Sequence, residues 1–197
     1  MGGGTHPPFY LKVCASQVGR SYMERQGMGL YVVQVVGGQE RHAADLIRKV
    51  AGASVEDSFV PELEVMKKVH GEWVYKREKL FTGYVFVKTH EPAVVKKALM
   101  ALPMFARMIG TGNDAFVPLS REEVAWLNAH TDARTHVLEM SEGIIEGDEV
   151  LITSGPLRGQ EANIVKIDRH KRLAWMDVHM FGRTKTIRVG LEIVTKR

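Results

Sequence analysis

The stretch EGDEVLITSGPLRGQEANIVKID, residues 146–168, carries the strongest fold signal in the chain. Val150 and Ile152 alternate with polar neighbours, the two-residue period of a half-buried strand. Ser154-Gly155-Pro156 then breaks the run, because glycine takes positive φ without steric cost and proline fixes the φ that follows. Gly159 offers a second bend, and Ala162, Ile164 and Ile167 resume the apolar run. A strand, a Gly-rich turn and a second strand are too few to bury their own apolar face. They need the strands that follow, so the pattern predicts a small β-barrel over about residues 143–197.

Gly147-Asp148, the alternating run, Gly155-Pro156, Gly159 and Ile164-Val165-Lys166-Ile167-Asp168 together resemble a KOW motif. That motif begins SH3-like barrels in transcription and ribosomal proteins. The resemblance implies a partner-binding barrel that works near RNA or the transcription machinery.

Length and composition narrow the classes. The 197 residues suffice for one large or two small domains, and 45% hydrophobic with 25% charged residues is ordinary for a globular chain. A net charge of +4 permits a nucleic-acid partner without demanding one. Cys14 is the single cysteine, which leaves no internal disulfide or zinc ribbon and fits a reducing cytoplasm. The eight histidines show no HExxH or paired spacing, so no metal or cofactor is expected and each His reads as a surface or satisfied polar residue. No apolar run approaches the roughly 20 residues of a membrane span. No nucleophile–base pair or phosphate cradle stands at diagnostic spacing, which points away from an enzyme.

Residues 1–27 are punctuated by Gly and Pro and read as a flexible extension, with Met28 a possible functional start. Leu30 to Val36 is a β-branched strand closed by Gly37-Gly38. A helix follows over about residues 40–50, with Ala43, Leu46, Ile47 and Val50 on one face and Gly52 as its stop. Two polar alternating runs around His70-Gly71 predict a β-hairpin carrying Lys67, Lys68, Lys76, Arg77 and Lys79. That hairpin is either a solvated, aggregation-resistant edge or a basic arm for a nucleic-acid backbone.

Leu80-Phe81-Thr82-Gly83-Tyr84-Val85-Phe86-Val87 is an aromatic-rich strand entered through a Gly turn. Period-two alternation puts Tyr84 and Phe86 on one side, as core or as a patch that a partner covers. Pro92 opens a helix whose apolar face is Val94, Val95, Ala98, Leu99 and Leu102, and Pro103 stops it. A short apolar strand over Met104–Ile109 and a turn at Gly112-Asn113-Asp114 lead to Phe116-Val117-Pro118. Ser120 and Glu123 then form a capping box for a helix to about Ala129, with Val124 and Leu127 as packing residues. The order βαβββαβα predicts an α+β domain over residues 28–129, an antiparallel sheet with helices against it. The polar residues 130–142 read as a linker.

The whole layout, roughly residues 28–197, resembles the NusG family of transcription elongation factors. Tyr31-Val32-Val33-Gln34-Val35 with Gly38 and Glu40 is similar to the family's first strand and helix. Leu80 to Val87 is similar to its aromatic signature, with Thr82 where the family usually has Pro. Phe116-Val117-Pro118-Leu119-Ser120 and Phe181-Gly182-Arg183 match two further family segments. The basic last strands, with Ile164 to Val178, resemble the specialised antiterminator branch called LoaP, whose members act on particular long operons. The resemblance implies that Phe81, Tyr84 and Phe86 dock on the clamp region of the largest RNA polymerase subunit. Holding that clamp closed favours continued elongation.

Arg158, Lys166, Arg169, His170, Lys171, Arg172, Arg183, Lys185 and Arg188 concentrate positive charge in the barrel, four of them at a hairpin turn before Leu173-Ala174-Trp175-Met176. They are solubility charges or an RNA-facing surface. The LoaP resemblance implies the second, with a nascent RNA hairpin as ligand. A general NusG would instead bind a termination factor or a ribosomal protein through the barrel, and a ribosome-associated KOW RNA-binding protein would make no polymerase contact. Trp175 is expected in the barrel core.

Overall fold

The computed structural model describes residues 27–110, 116–146 and 149–195. The expectations for residues 1–26, for the turn at Gly112–Asp114 and for Gly147-Asp148 lie outside the described residues. The fold is α+β, an N-terminal domain followed by a small barrel.

Strand β1 (Gly29–Val35) lies inside a four-stranded antiparallel sheet. The sheet order is β2 (Asp57–Phe59), β5 (Tyr84–Thr89), β1, β6 (Ala106–Met108). Strand alternation gives the sheet two different faces. Tyr31, Val33, Val35, Val85 and Val87 pack under two helices, α1 (Glu40–Ala51) and α2 (Pro92–Met100). Val32 and Phe86, directly opposite each other in the register, point to the other face.

Helix α1 buries Glu40, Ala43, Ala44, Ile47 and Ala51. Val50, expected on the packed face, is 47% exposed. The face is rotated because the small residues Ala43, Ala44 and Ala51 let the helix lie close to the sheet, and Glu40 is drawn inward at its start. In α2, Val95 and Leu99 are buried as expected, with Leu102 just past the helix end, while Val94 faces solvent. The capping box of α3 (Arg121–His130) forms as read: the Glu123 N–H donates to Ser120 Oγ at 3.2 Å, and the Ser120 N–H donates to Glu123 Oε2 at 2.8 Å.

The predicted hairpin is β3 (Glu62–Val69) and β4 (Glu72–Lys79), paired from Glu62↔Lys79 to Val69↔Glu72. Its free edge of β3 receives β7 (Val137–Leu138) in parallel. That strand lies inside the segment expected as a plain linker. The segment is docked: Val137 and Leu138 are buried, and the His136 ring stacks on Phe59 at 3.6 Å with Nε2 3.1 Å from Asp57 Oδ2. His130 is also buried, its Nδ1 2.7 Å from the Trp126 carbonyl, so this histidine is a satisfied interior residue.

The barrel sheet runs β10 (Ile164–Asp168), β11 (Leu173–Met180), β12 (Arg183–Thr195), β8 (Ser141–Glu146), β9 (Glu149–Ser154). Its opening turn depends on Gly155, at φ 94°, where a Cβ would come within 2.6 Å of the Ser141 Cα. The barrel core of Ile152, Leu157, Leu173, Met176, Met180, Ile187, Val189 and Leu191 is continuous with Leu63, Phe81, Phe86, Leu127 and Leu138 of the first domain. One apolar core therefore spans both domains. Trp175 is a correction: it is only half-buried and shares the outer strand face with Arg188. Met176 and Ala174 take the inward positions on either side of it, as alternation requires.

Candidate partner-binding face and interdomain junction

The aromatic face begins with the turn that precedes it. Glu40 is fully buried at the start of α1. Its Oε1 accepts the Gly83 N–H at 2.8 Å, and its Oε2 accepts the Gly38 N–H at 2.9 Å and lies 2.7 Å from Lys79 Nζ. Burial alone would raise this carboxyl, but the Lys79 ammonium and the Gly83 and Gly38 N–H groups outweigh it and hold it at about 2. The Gly37-Gly38 loop thus binds the chain's own carboxylate. The same carboxylate fixes the Leu80–Gly83 turn, and with it Phe81 and Tyr84.

Tyr84 and Phe86 share one side, as their spacing predicts, and Phe81 joins them. Phe86 has ring neighbours Phe59 at 5.7 Å and Phe81 at 5.9 Å. It is fully buried, Phe81 is buried and Tyr84 is half-buried. Their outer cover comes from the barrel. Phe181 stands in the two-residue turn between β11 and β12, with φ 60°, followed by Gly182 at φ 69°. Its ring centroid lies 4.7 Å from Tyr84, 5.3 Å from Phe81 in an edge-on arrangement and 6.0 Å from Phe86. A Phe in the left-handed region is unfavourable by about 1 kcal/mol, offset here by three ring contacts. The Gly182 N–H donates to Glu123 Oε1 at 3.0 Å, so the residue that caps α3 also anchors the barrel turn.

Charged contacts extend the junction. Arg188 pairs with Glu78 across the domains. The Arg172 guanidinium lies 4.4 Å over the Trp73 ring, with Nη1 2.9 Å from both Met66 Sδ and Glu192 Oε1. Lys185 Nζ sits 4.7 Å over Tyr84 and 4.8 Å over Phe181. Backbones also meet: a Cβ at Gly190 would come within 2.4 Å of the Glu64 carbonyl oxygen.

The nine basic barrel residues are therefore divided. Arg172, Lys185 and Arg188 are engaged at the junction, and Lys166 Nζ lies 5.0 Å over the Trp175 ring. Arg158, Arg169, His170, Lys171 and Arg183 are exposed. The turn at Arg169–Arg172 and Arg183 lie at opposite ends of β11, about 25 Å apart at strand spacing, and do not form one patch. The Lys171 N–H donates to Asp168 Oδ1 at 3.0 Å, which orders the turn and holds the Asp168 carboxyl below its usual range. On the β3–β4 hairpin, Lys67 pairs with Glu78 and Arg77 with Glu64, while Lys68 and Lys76 have no carboxylate partner among the described residues. Among the described residues no group of three or more His, Cys, Asp and Glu could hold a metal ion.

Trp73, Met66, Glu78 and Glu123 are the junction residues that sequence reasoning missed. Their partners lie 59 to 110 positions away, and no local spacing marks them.

The family model described as transcription termination factor nusG matches residues 28–128, and a KOW motif matches residues 146–178. The chain belongs to the NusG family. It is 26% identical over 190 residues to the transcription termination/antitermination protein NusG of Thermus thermophilus, covering 84% of this chain and 97% of that one. The NusG of Helicobacter pylori strain J99 is 25% identical over 186 residues, covering 86% and 98%. A solved structure of Thermotoga maritima NusG covers 83% of this chain and 94% of its own at 20% identity and a TM-score of 0.46. The NusG match starts at Met28 and ends in α3, and the KOW match covers the whole stretch quoted at the outset and runs on into β11. As a NusG-family transcription factor, the chain has its aromatic face inside the first matched segment and the Phe181 turn just past the second.

Proposed function

We propose that this NusG-family protein binds RNA polymerase through Phe81, Tyr84 and the surface around Phe86, and promotes processive elongation. The partner is the clamp region of the largest subunit. The observation that carries the reading is the cover on this face. The barrel closes the outer side of Tyr84, Phe81 and Phe86, with the Phe181 ring against all three and the Lys185 ammonium over Tyr84. An apolar face covered by a separate domain becomes a docking surface once the barrel lifts. In this reading the exposed turn with Arg169, His170 and Lys171 contacts nascent RNA, and the effect is confined to particular operons with a leader element. A second reading, a general NusG whose barrel takes a termination factor or ribosomal protein, is favoured by the names of the Thermus and Helicobacter relatives.

The test is transcription in vitro through a terminator, with and without a candidate leader RNA, alongside co-purification of polymerase. Read-through that requires the leader supports the operon-specific reading, and leader-independent effects support the general one. Tyr84→Ala should weaken polymerase capture about ten-fold or more, as expected for an aromatic anchor. Capture of ribosomes but not polymerase would overturn the docking assignment.

A further inference from the structure

Between the two domains lies a cleft of about 470 Å³. Lys79, Phe81 and Tyr84 form its wall on one side, and Trp175, Lys185 and Arg188 form the other. Its size lies within the range of small-ligand sites. Its chemistry is selective. Lys166, Trp175 and Arg188 form one cross-strand row on the barrel's outer face, with the half-buried indole in the middle. Lys79 is committed to Glu40 and Arg188 to Glu78, whereas Lys185 has no carboxylate within ion-pair distance among the described residues. The cleft therefore offers the half-buried Trp175 indole, with Lys166 over one face, beside the Lys185 ammonium, which no carboxylate neutralises among the described residues. A nucleobase stacks on an indole whatever its sequence, and its phosphate satisfies Lys and Arg.

We propose that this cleft binds one nucleotide unit of single-stranded RNA, the base on Trp175 and the phosphate on Lys185, and only while the two domains are closed. The last condition follows from the walls, which belong to different domains. A ligand that needs both walls stabilises the closed arrangement by linkage and opposes exposure of the aromatic face. This site is distinct from the Arg169–Lys171 turn and involves no polymerase, so it stands or fails independently of the docking reading.

The experiment uses the full chain and a fluorescein-labelled hexauridylate, with binding followed by anisotropy over a salt series. Trp175→Ala should weaken binding about ten-fold or more. Lys185→Met should lower the log–log salt slope by about 0.7. Two variants open the junction by unrelated routes. Phe181→Asp puts a charge among the rings, and Gly190→Ala drives a methyl against the Glu64 carbonyl. Each should lose binding about as Trp175→Ala does, and if one fails to fold the other still reads the closure requirement. His179→Ala, exposed on the same strand face beyond the cleft, should bind as the parent chain does. Competition by millimolar uridine monophosphate identifies a free nucleotide as a sufficient ligand, and its failure to compete identifies a strand; both outcomes support the cleft. Parent-like affinity in Trp175→Ala, parent-like affinity in the opened variants, or no binding of either probe overturns it.

Discussion

Replacing Phe181 with Ala tests the interdomain junction directly. The ring is half-buried and meets three others at 4.7, 5.3 and 6.0 Å. Truncating a fully buried Phe costs about 3–5 kcal/mol, and an aromatic contact adds about 0.5–1.5 kcal/mol beyond its area. For a half-buried ring with three non-additive contacts, about 2 kcal/mol is the reasonable figure. At 1.4 kcal/mol per ten-fold, that moves the closed-to-open ratio about thirty-fold. The Gly182 amide reports this ratio, because its N–H donates across the junction to Glu123 Oε1 at 3.0 Å. Its hydrogen-exchange protection should fall about thirty-fold in Phe181→Ala. Amides of β1 and β5, which pair within the first domain, should keep theirs. If Gly182 exchanged at the parent rate, or if β1 and β5 lost protection to the same degree, the ring would not be what holds the domains together.

Acid should weaken the first domain through Glu40. Its carboxyl is held at about 2 in the folded chain against 4.5 ordinarily, so it contributes stability above pH 4.5 and loses it progressively as pH falls toward 2. The shift corresponds to about 3 kcal/mol at neutral pH. Urea unfolding of Glu40→Gln should show a deficit of that order at pH 6 that shrinks at pH 3; parallel pH curves for the two chains would rule the account out. On the proposed RNA-facing turn, Arg169→Ala and Lys171→Ala should each lower the salt slope of RNA binding by about 0.7. Arg172→Ala should leave that slope unchanged and instead speed Gly182 exchange, because its guanidinium is committed to Trp73 and Glu192. Equal slope changes from all three would place Arg172 with the RNA contacts.

Most of the fold was legible because its signals are local. The Ser120 and Glu123 capping box, the β3–β4 hairpin around His70-Gly71 and the strand–turn–strand at 150–167 each involve neighbours a few residues apart. Alternation also placed Tyr84 and Phe86 on one side correctly. The failures share a cause. Val50 and Trp175 occupy positions whose local period is apolar, yet the choice of buried face was made by distant groups: Glu40 with the Gly83 turn for the helix, and the inward Ala174 and Met176 for the strand. Residues 130–142 looked polar overall, yet Val137 and Leu138 are buried and pair with β3.

The amino-acid order by itself determined two domains, their strand and helix content, the family and the aromatic set on β5, since each depends on periodicity or on motifs read along the chain. Only the tertiary structure decided that the barrel presses Phe181 onto that set, that Arg172, Lys185 and Arg188 reach across the junction, and that a cationic, aromatic cleft lies between the domains. Those contacts join residues about 60 to 110 positions apart. Their free energy depends on how two folded bodies meet, and no local period records that meeting.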